Sequence, residues 1–163
     1  MSKRMEDMLR EYTKMVMERR CLREQLAHFK GVSDADVIDS MYTPKMDGER
    51  VQTSGTSDKT AQIALSYEER RDRINSDWRR HLERRFCCIS DQLDFLESAL
   101  RSLPDPMNRL MWDMVVEQMK WEALEEKYSM GHTTVYRLRR KAIAELDQLY
   151  EAHKEAMTSY MLG

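Results

Sequence analysis

"SMGHTTVYRLRRKAIAEL", residues 129–146, places Arg137, Arg139, Arg140 and Lys141 within a turn and a half with no acid among them. The chain as a whole does not share that bias. Its 27 Lys and Arg stand against 29 Asp and Glu, a formal net charge of -2, so any attraction to a polyanion must be local. The apolar residues set how this stretch folds. Leu124, Tyr128, Met130, Val135 and Leu138, with Gly131 between the third and fourth, have the spacing of two short helices that cross over a tight turn and share a small core. On a wheel starting near His132, Val135, Leu138 and Ala142 share the buried side, and Thr133, Tyr136, Arg137, Arg140 and Lys141 project from the other.

This is a helix-turn-helix pattern with a cationic outer face. Such a helix fits the DNA major groove, its early residues at base edges and its later ones at phosphates. The expected readers are Thr133, Thr134, Tyr136 and Arg137; Arg140 and Lys141, flanked by His132 and Arg139, are the expected phosphate contacts. Four clustered cations alone would equally suit a solvated helix face; apolar spacing, turn glycine and basic outer face together point to DNA. The segment before is acidic at Asp113, Glu117, Glu122, Glu125 and Glu126, and this separation of sign lets a net-negative chain approach DNA.

Working outward, "LPDP" at 103–106 interrupts helicity, because each proline biases the preceding residue away from the α region. Asp105 is the expected cap and Pro106 the first residue of the next helix, with Met107, Leu110, Met111, Met114 and Val115 on one face. A turn near 117–120 leads into "WEALEEKY", with Trp121, Leu124 and Tyr128 inward. Toward the amino terminus, Met5, Met8, Tyr12, Met15, Leu22, Leu26 and Phe29 form a heptad-like seam that Gly31 ends. A short helix capped by Ser33 or Asp34 follows, then the polar, glycine-containing stretch 42–58, expected to be a loop. Ser57 or Asp58 caps a second long helix, with Ile74, Trp78, Leu82, Ile89, Leu93, Leu96 and Leu100 near a seven-residue repeat. The two seams pair either as an antiparallel hairpin within the chain or as a coiled coil between two copies. Interleaved acids on this helix make Arg70 to Arg85 a salt-bridged solvated face.

The expectation is an all-α fold: a helical hairpin or coiled-coil module over 1–102 with a loop at 42–58, then a helix-turn-helix domain over 103–163 with a helical tail. Charged residues at 34% with only 5 Gly and 3 Pro fit long surface-charged helices. Three Cys, two of them adjacent, match neither a disulfide framework nor a zinc site. Trp78, Trp112 and Trp121 read as core aromatics, and the 14 Met as adaptable core filler. No phosphate-cradling glycine loop, metal-ligand cluster or nucleophile-base spacing appears, so neither an enzyme nor a cofactor is expected. Nor does any apolar run approach the roughly 20 residues that span a bilayer, so a cytoplasmic protein without a membrane partner is expected.

Residues 103–149, through "LPDPMNRLMWDMV", "WEALEEKYSM" and "TTVYRLRRKAIAEL", resemble region 4 of sigma-70-type RNA polymerase sigma factors. With the "VQTSGTSDKTAQIAL" stretch included, the whole chain resembles small phage and prophage transcription regulators of the ArpU and RinA type. Glu125 stands where the region 4 pattern has a small Ala, and Ser129 where it has the turn Gly. The chain has no counterpart of the sigma region that grips melted promoter DNA. The resemblance therefore implies an accessory regulator in a bacterial host cell, an activator of late phage genes. It would bind double-stranded DNA as a homodimer, with host RNA polymerase as a further partner. Two other classes compete at this stage: a small-terminase-like packaging protein, which would form a large ring, and a coiled-coil interaction protein whose basic turn is idle.

Overall fold

The structure, a computed structural model, describes residues 3–42 and 56–162. Among these residues all regular structure is helical, as the composition requires: α1 (Lys3–Ala27), α2 (Asp34–Tyr42), α3 (Thr56–Ser102), α4 (Met107–Val115), α5 (Trp121–Tyr128) and α6 (His132–Leu162). Most of the loop expected at 42–58 lies outside the described residues. Its ends do not fit that expectation, since Tyr42 closes α2 and α3 already begins at Thr56. Ser57 and Asp58 are therefore inside the helix rather than capping it. No helix among the described residues is long and apolar enough to cross a membrane.

Packing divides the chain into two units, 1–21 with 87–163, and 22–86. The boundary expected at 102/103 is not where the packing divides. The first part of α1 and the last part of α3 belong with the three C-terminal helices, because their apolar seams close one common core. Met5, Leu9, Tyr12 and Met15 of α1 meet Ile89, Leu93, Leu96 and Leu100 of α3, Leu110 and Met111 of α4, and Val135, Ile143 and Leu146 of α6 in that cluster. Leu9 carries the seam where the sequence spacing favoured Met8, which is only half-buried. Polar links accompany the apolar seam. The Tyr12 hydroxyl donates to Glu97 Oε1 at 2.9 Å, and Arg19 lies 3.6 Å from Asp94. Burial, then the hydrogen bond to Glu97, pushes the Tyr12 phenol up to about 12.

Among the described residues of the other unit Leu22, Val37 and Leu82 are buried, and polar links accompany them. Gly31 has φ +73°, and a Cβ there would meet the Asn75 side chain at 2.5 Å, so only glycine fits. The adjacent Val32 N–H donates to Asn75 Oδ1 at 2.8 Å. Ser33 caps α2 as expected, its Oγ accepting the Asp36 N–H at 3.2 Å. Arg71 reaches Asp34 at 2.7 Å. Trp78 departs from its expected core role: it is 45% exposed, with Phe29 against it at a ring-centroid distance of 5.2 Å.

Candidate nucleic-acid interface

The basic stretch is carried on a platform of α4 and α5, and both contact α6. Its first element is α4, which starts at Met107 behind Pro106 with no side-chain cap. Asp105 does not cap it. Its carboxylate grips the Arg109 guanidinium instead, at 2.9 and 2.6 Å, and that hydrogen bonding holds the carboxyl below its ordinary range. Leu110, Met111 and Val115 face the core as expected.

Asp113, one of the acids counted in this segment, is only 8% exposed. Its Oδ2 accepts both the Lys127 ammonium at 2.5 Å and the Tyr128 hydroxyl at 2.7 Å. These three side chains fasten the end of α5 to α4. Burial pushes the Asp113 carboxyl up, but the hydrogen bonds from Lys127 and Tyr128 outweigh it and leave it below its usual range. Burial and the bond to Asp113 push the Tyr128 phenol up to about 12. A sequence signal existed: Asp113 falls among Leu110, Met111 and Met114 on an otherwise apolar stretch, where an acid must find partners.

α5 buries Leu124 completely and ends at Ser129, whose φ of 51° and ψ of 41° are left-handed. The Ser129 N–H donates to Glu126 O at 3.2 Å and the Met130 N–H to Glu125 O at 3.0 Å, the paired bonds that close a helix end. The left-handed residue of this turn is thus Ser129. Gly131, read as the turn glycine, is not in that region, and a Cβ there would meet nothing within 4 Å. From Gly131 the carbonyl accepts the Thr134 and Val135 N–H groups and starts α6. Glu125, where a small residue is usual, stays half-buried and reaches His132 Nδ1 at 2.8 Å.

Along α6 the buried stripe is Val135, Ala142, Ile143 and Leu146, each fully covered, with Leu138 half-buried. Opposite it, Thr133, Tyr136, Arg137, Arg140 and Lys141 are exposed, Tyr136 to 51%. Thr134 is half-buried. Arg137, Arg140 and Lys141 form no ion pair with any described residue. Two of the expected site residues are engaged within the protein. Arg139 is half-buried, its Nη1 3.8 Å from Glu6 of α1. His132, besides its bond to Glu125, has its ring 5.1 Å from that of Trp121. Trp121 and Trp112 are half-buried, and the Arg101 guanidinium lies 4.6 Å over the Trp112 ring. No His, Cys, Asp and Glu grouping able to hold a metal occurs among the described residues. No protein-family model matches the chain, and no curated protein and no solved structure matches it.

Proposed function

We propose that this chain is a sequence-specific DNA-binding transcriptional regulator of the phage ArpU and RinA kind, with α5 and α6 as a sigma-region-4-like helix-turn-helix and α6 as the groove-reading helix. One observation carries this reading. Arg137, Arg140 and Lys141 stand together, exposed and without acidic partners, on the side of α6 opposite its buried stripe, whereas Arg73, Arg79 and Arg109 are each held by an acid. A protein surface that leaves like charges uncompensated on a rigid helix is prepared for a polyanion.

In this reading Thr133, Tyr136 and Arg137 face base edges, joined at the margin by half-buried Thr134, and Arg140 and Lys141 take backbone phosphates. Arg139 braces α6 against α1 through Glu6 rather than meeting phosphate. His132 orients the start of α6 through Glu125. The Tyr12–Glu97 and Arg19–Asp94 contacts suit α1 and α3 as an intramolecular antiparallel hairpin that supports the reading head. Two copies on adjacent half-sites would gain affinity and specificity together. Activation of late genes, with contact to host RNA polymerase in the bacterial cytoplasm, is the role that follows from the family resemblance.

The test is fluorescence anisotropy with fragments selected from phage genomic DNA. Arg137→Ala with Arg140→Ala should weaken binding roughly 100-fold and flatten the slope of log affinity against log salt by about 1, from the lost Arg140 phosphate contact, while loss of Arg137 relaxes the sequence preference. Unchanged affinity in the double variant would overturn the reading.

A further inference from the structure

Away from the exposed face of α6, the end of α3, α4 and the last turn of α5 enclose a hollow of about 450 Å³, within the roughly 300–1,000 Å³ typical of small-ligand sites. Trp112 and Tyr128 supply aromatic wall, and Arg101, Asn108, Arg109 and Lys127 supply polar groups. The polar lining is rich in donors and poor in acceptors. Arg and Lys side chains can only donate. Asn108 Oδ1 already accepts the Arg109 backbone N–H at 2.6 Å, which leaves its amide hydrogens to offer. Asp113, the acid in the lining, is already occupied by Lys127 and Tyr128.

The acids beside the hollow hold its two guanidiniums unequally. Glu97 is 3.8 Å from Arg101 and also takes the Tyr12 hydroxyl. Asp105 grips Arg109 more closely, but both side chains are more than half exposed, where an ion pair contributes little and an incoming anion can compete. A ligand matching this lining needs several acceptors for the cations and a flat apolar part to lie against Tyr128 and beside the Trp112 ring, over which the Arg101 guanidinium already sits at 4.6 Å. We infer that the hollow is an effector pocket for a small anion carried on an aromatic ring, the chemistry shared by nucleoside monophosphates and aromatic carboxylates. Its position gives it a route to the reading helix. Lys127 and Tyr128 line the hollow and lead directly into left-handed Ser129, so filling the pocket acts on the turn that aims α6. That coupling, unlike the binding itself, rests on the proposed DNA reading.

Isothermal titration calorimetry of the full chain without DNA tests the pocket, using AMP, salicylate and inorganic phosphate as probes. Either AMP or salicylate should bind, and Arg101→Ala and Arg109→Ala should each weaken that binding roughly tenfold, as loss of a charge-assisted hydrogen bond does. Circular dichroism should be unchanged, since both side chains are exposed. Binding of AMP alone identifies a phosphate-bearing ligand, and binding of salicylate alone a carboxylate. Absence of binding at millimolar concentration, equal affinity for inorganic phosphate, or full affinity in both variants would overturn the pocket. With the ligand bound, DNA affinity should shift by about fivefold or more, the lower end of ordinary allosteric coupling. Ligand binding with DNA affinity unmoved would overturn the effector role. Absence of any DNA binding would instead strike the functional reading and leave the calorimetric result standing.

Discussion

Two basic stretches of this protein, 70–85 on α3 and 137–141 on α6, are rich in the same residue types and differ in how their charges are paired. On α3, acids one helical turn away hold three of the cations: Arg73 meets Glu69 at 3.4 Å, Arg79 meets Glu83 at 3.1 Å and Arg80 meets Asp77 at 3.6 Å, although Arg70 and Arg84 have no acid at those positions. On α6 the positions one turn from Arg137 and Arg140 are filled by Thr133, Thr134, Tyr136, Ile143 and Ala144, among the basic residues themselves, and by no acid. Lys141 has Glu145 one turn ahead and still makes no ion pair with a described residue. Acids at the helical neighbour positions, where pairing adds a few tenths of a kcal/mol and cancels the field, thus set whether a cation's charge stays available. The proposed DNA reading rests on three such cations gathered on one exposed face of α6.

The stretches also differ in what lies beneath them. Under the α6 cations, Leu146 and Ile143 are fully covered, whereas Ile74, among the α3 cations, is only half-buried. The largest expected difference follows. Leu146→Ala should cost about 2–5 kcal/mol of unfolding free energy, because it opens a cavity in a closed core. Ile74→Ala should cost about 1 kcal/mol, its side chain being partly in water already. Urea denaturation monitored by circular dichroism would break the contrast if the two losses were equal.

Asp113→Asn should remove about 1–2 kcal/mol, the scale of hydrogen bonds to a charged group, and it should change the pH profile in one direction. Although burial opposes it, the hydrogen bonds from Lys127 and Tyr128 hold the folded carboxyl below the usual carboxylate range. Its contribution is therefore complete above the unfolded value and disappears as pH falls through the lower, folded one. Acid titration of stability should show the wild-type chain losing more than the Asn variant below about pH 4, and parallel curves would remove the link between α4 and α5 from the account.

A direct way to convert one kind of stretch into the other is Ala144→Glu, which installs an acid four residues after Arg140 on the exposed side of α6. Anisotropy should report DNA binding weakened roughly tenfold, from one neutralised cation and one added repulsion, with the melting temperature nearly unchanged. The smallest effect belongs to the paired stretch. Arg73→Ala should change stability by no more than about 0.5 kcal/mol, as exposed pairs do, and should leave DNA binding untouched. A clear loss of affinity in that variant would extend the interface onto α3.

Much of this architecture rests on information carried by near neighbours in the chain. Heptad spacing in α1 and α3, the proline pair before α4, the Ser33 cap and the two-sided pattern of α6 are local, so residue order alone was enough to give an all-helical protein with a cationic outer face on α6. The partners of Arg139 and Asp113 required the folded chain. Glu6 comes from the opposite end of the sequence and withdraws Arg139 from the basic face. Asp113 becomes a buried fastener through Lys127 and Tyr128. The packing that joins the start of α1 and the end of α3 to the three short helices is of the same kind. Helix periodicity says which side of each helix is apolar, whereas the choice among several apolar sides is made by how they fit together in space.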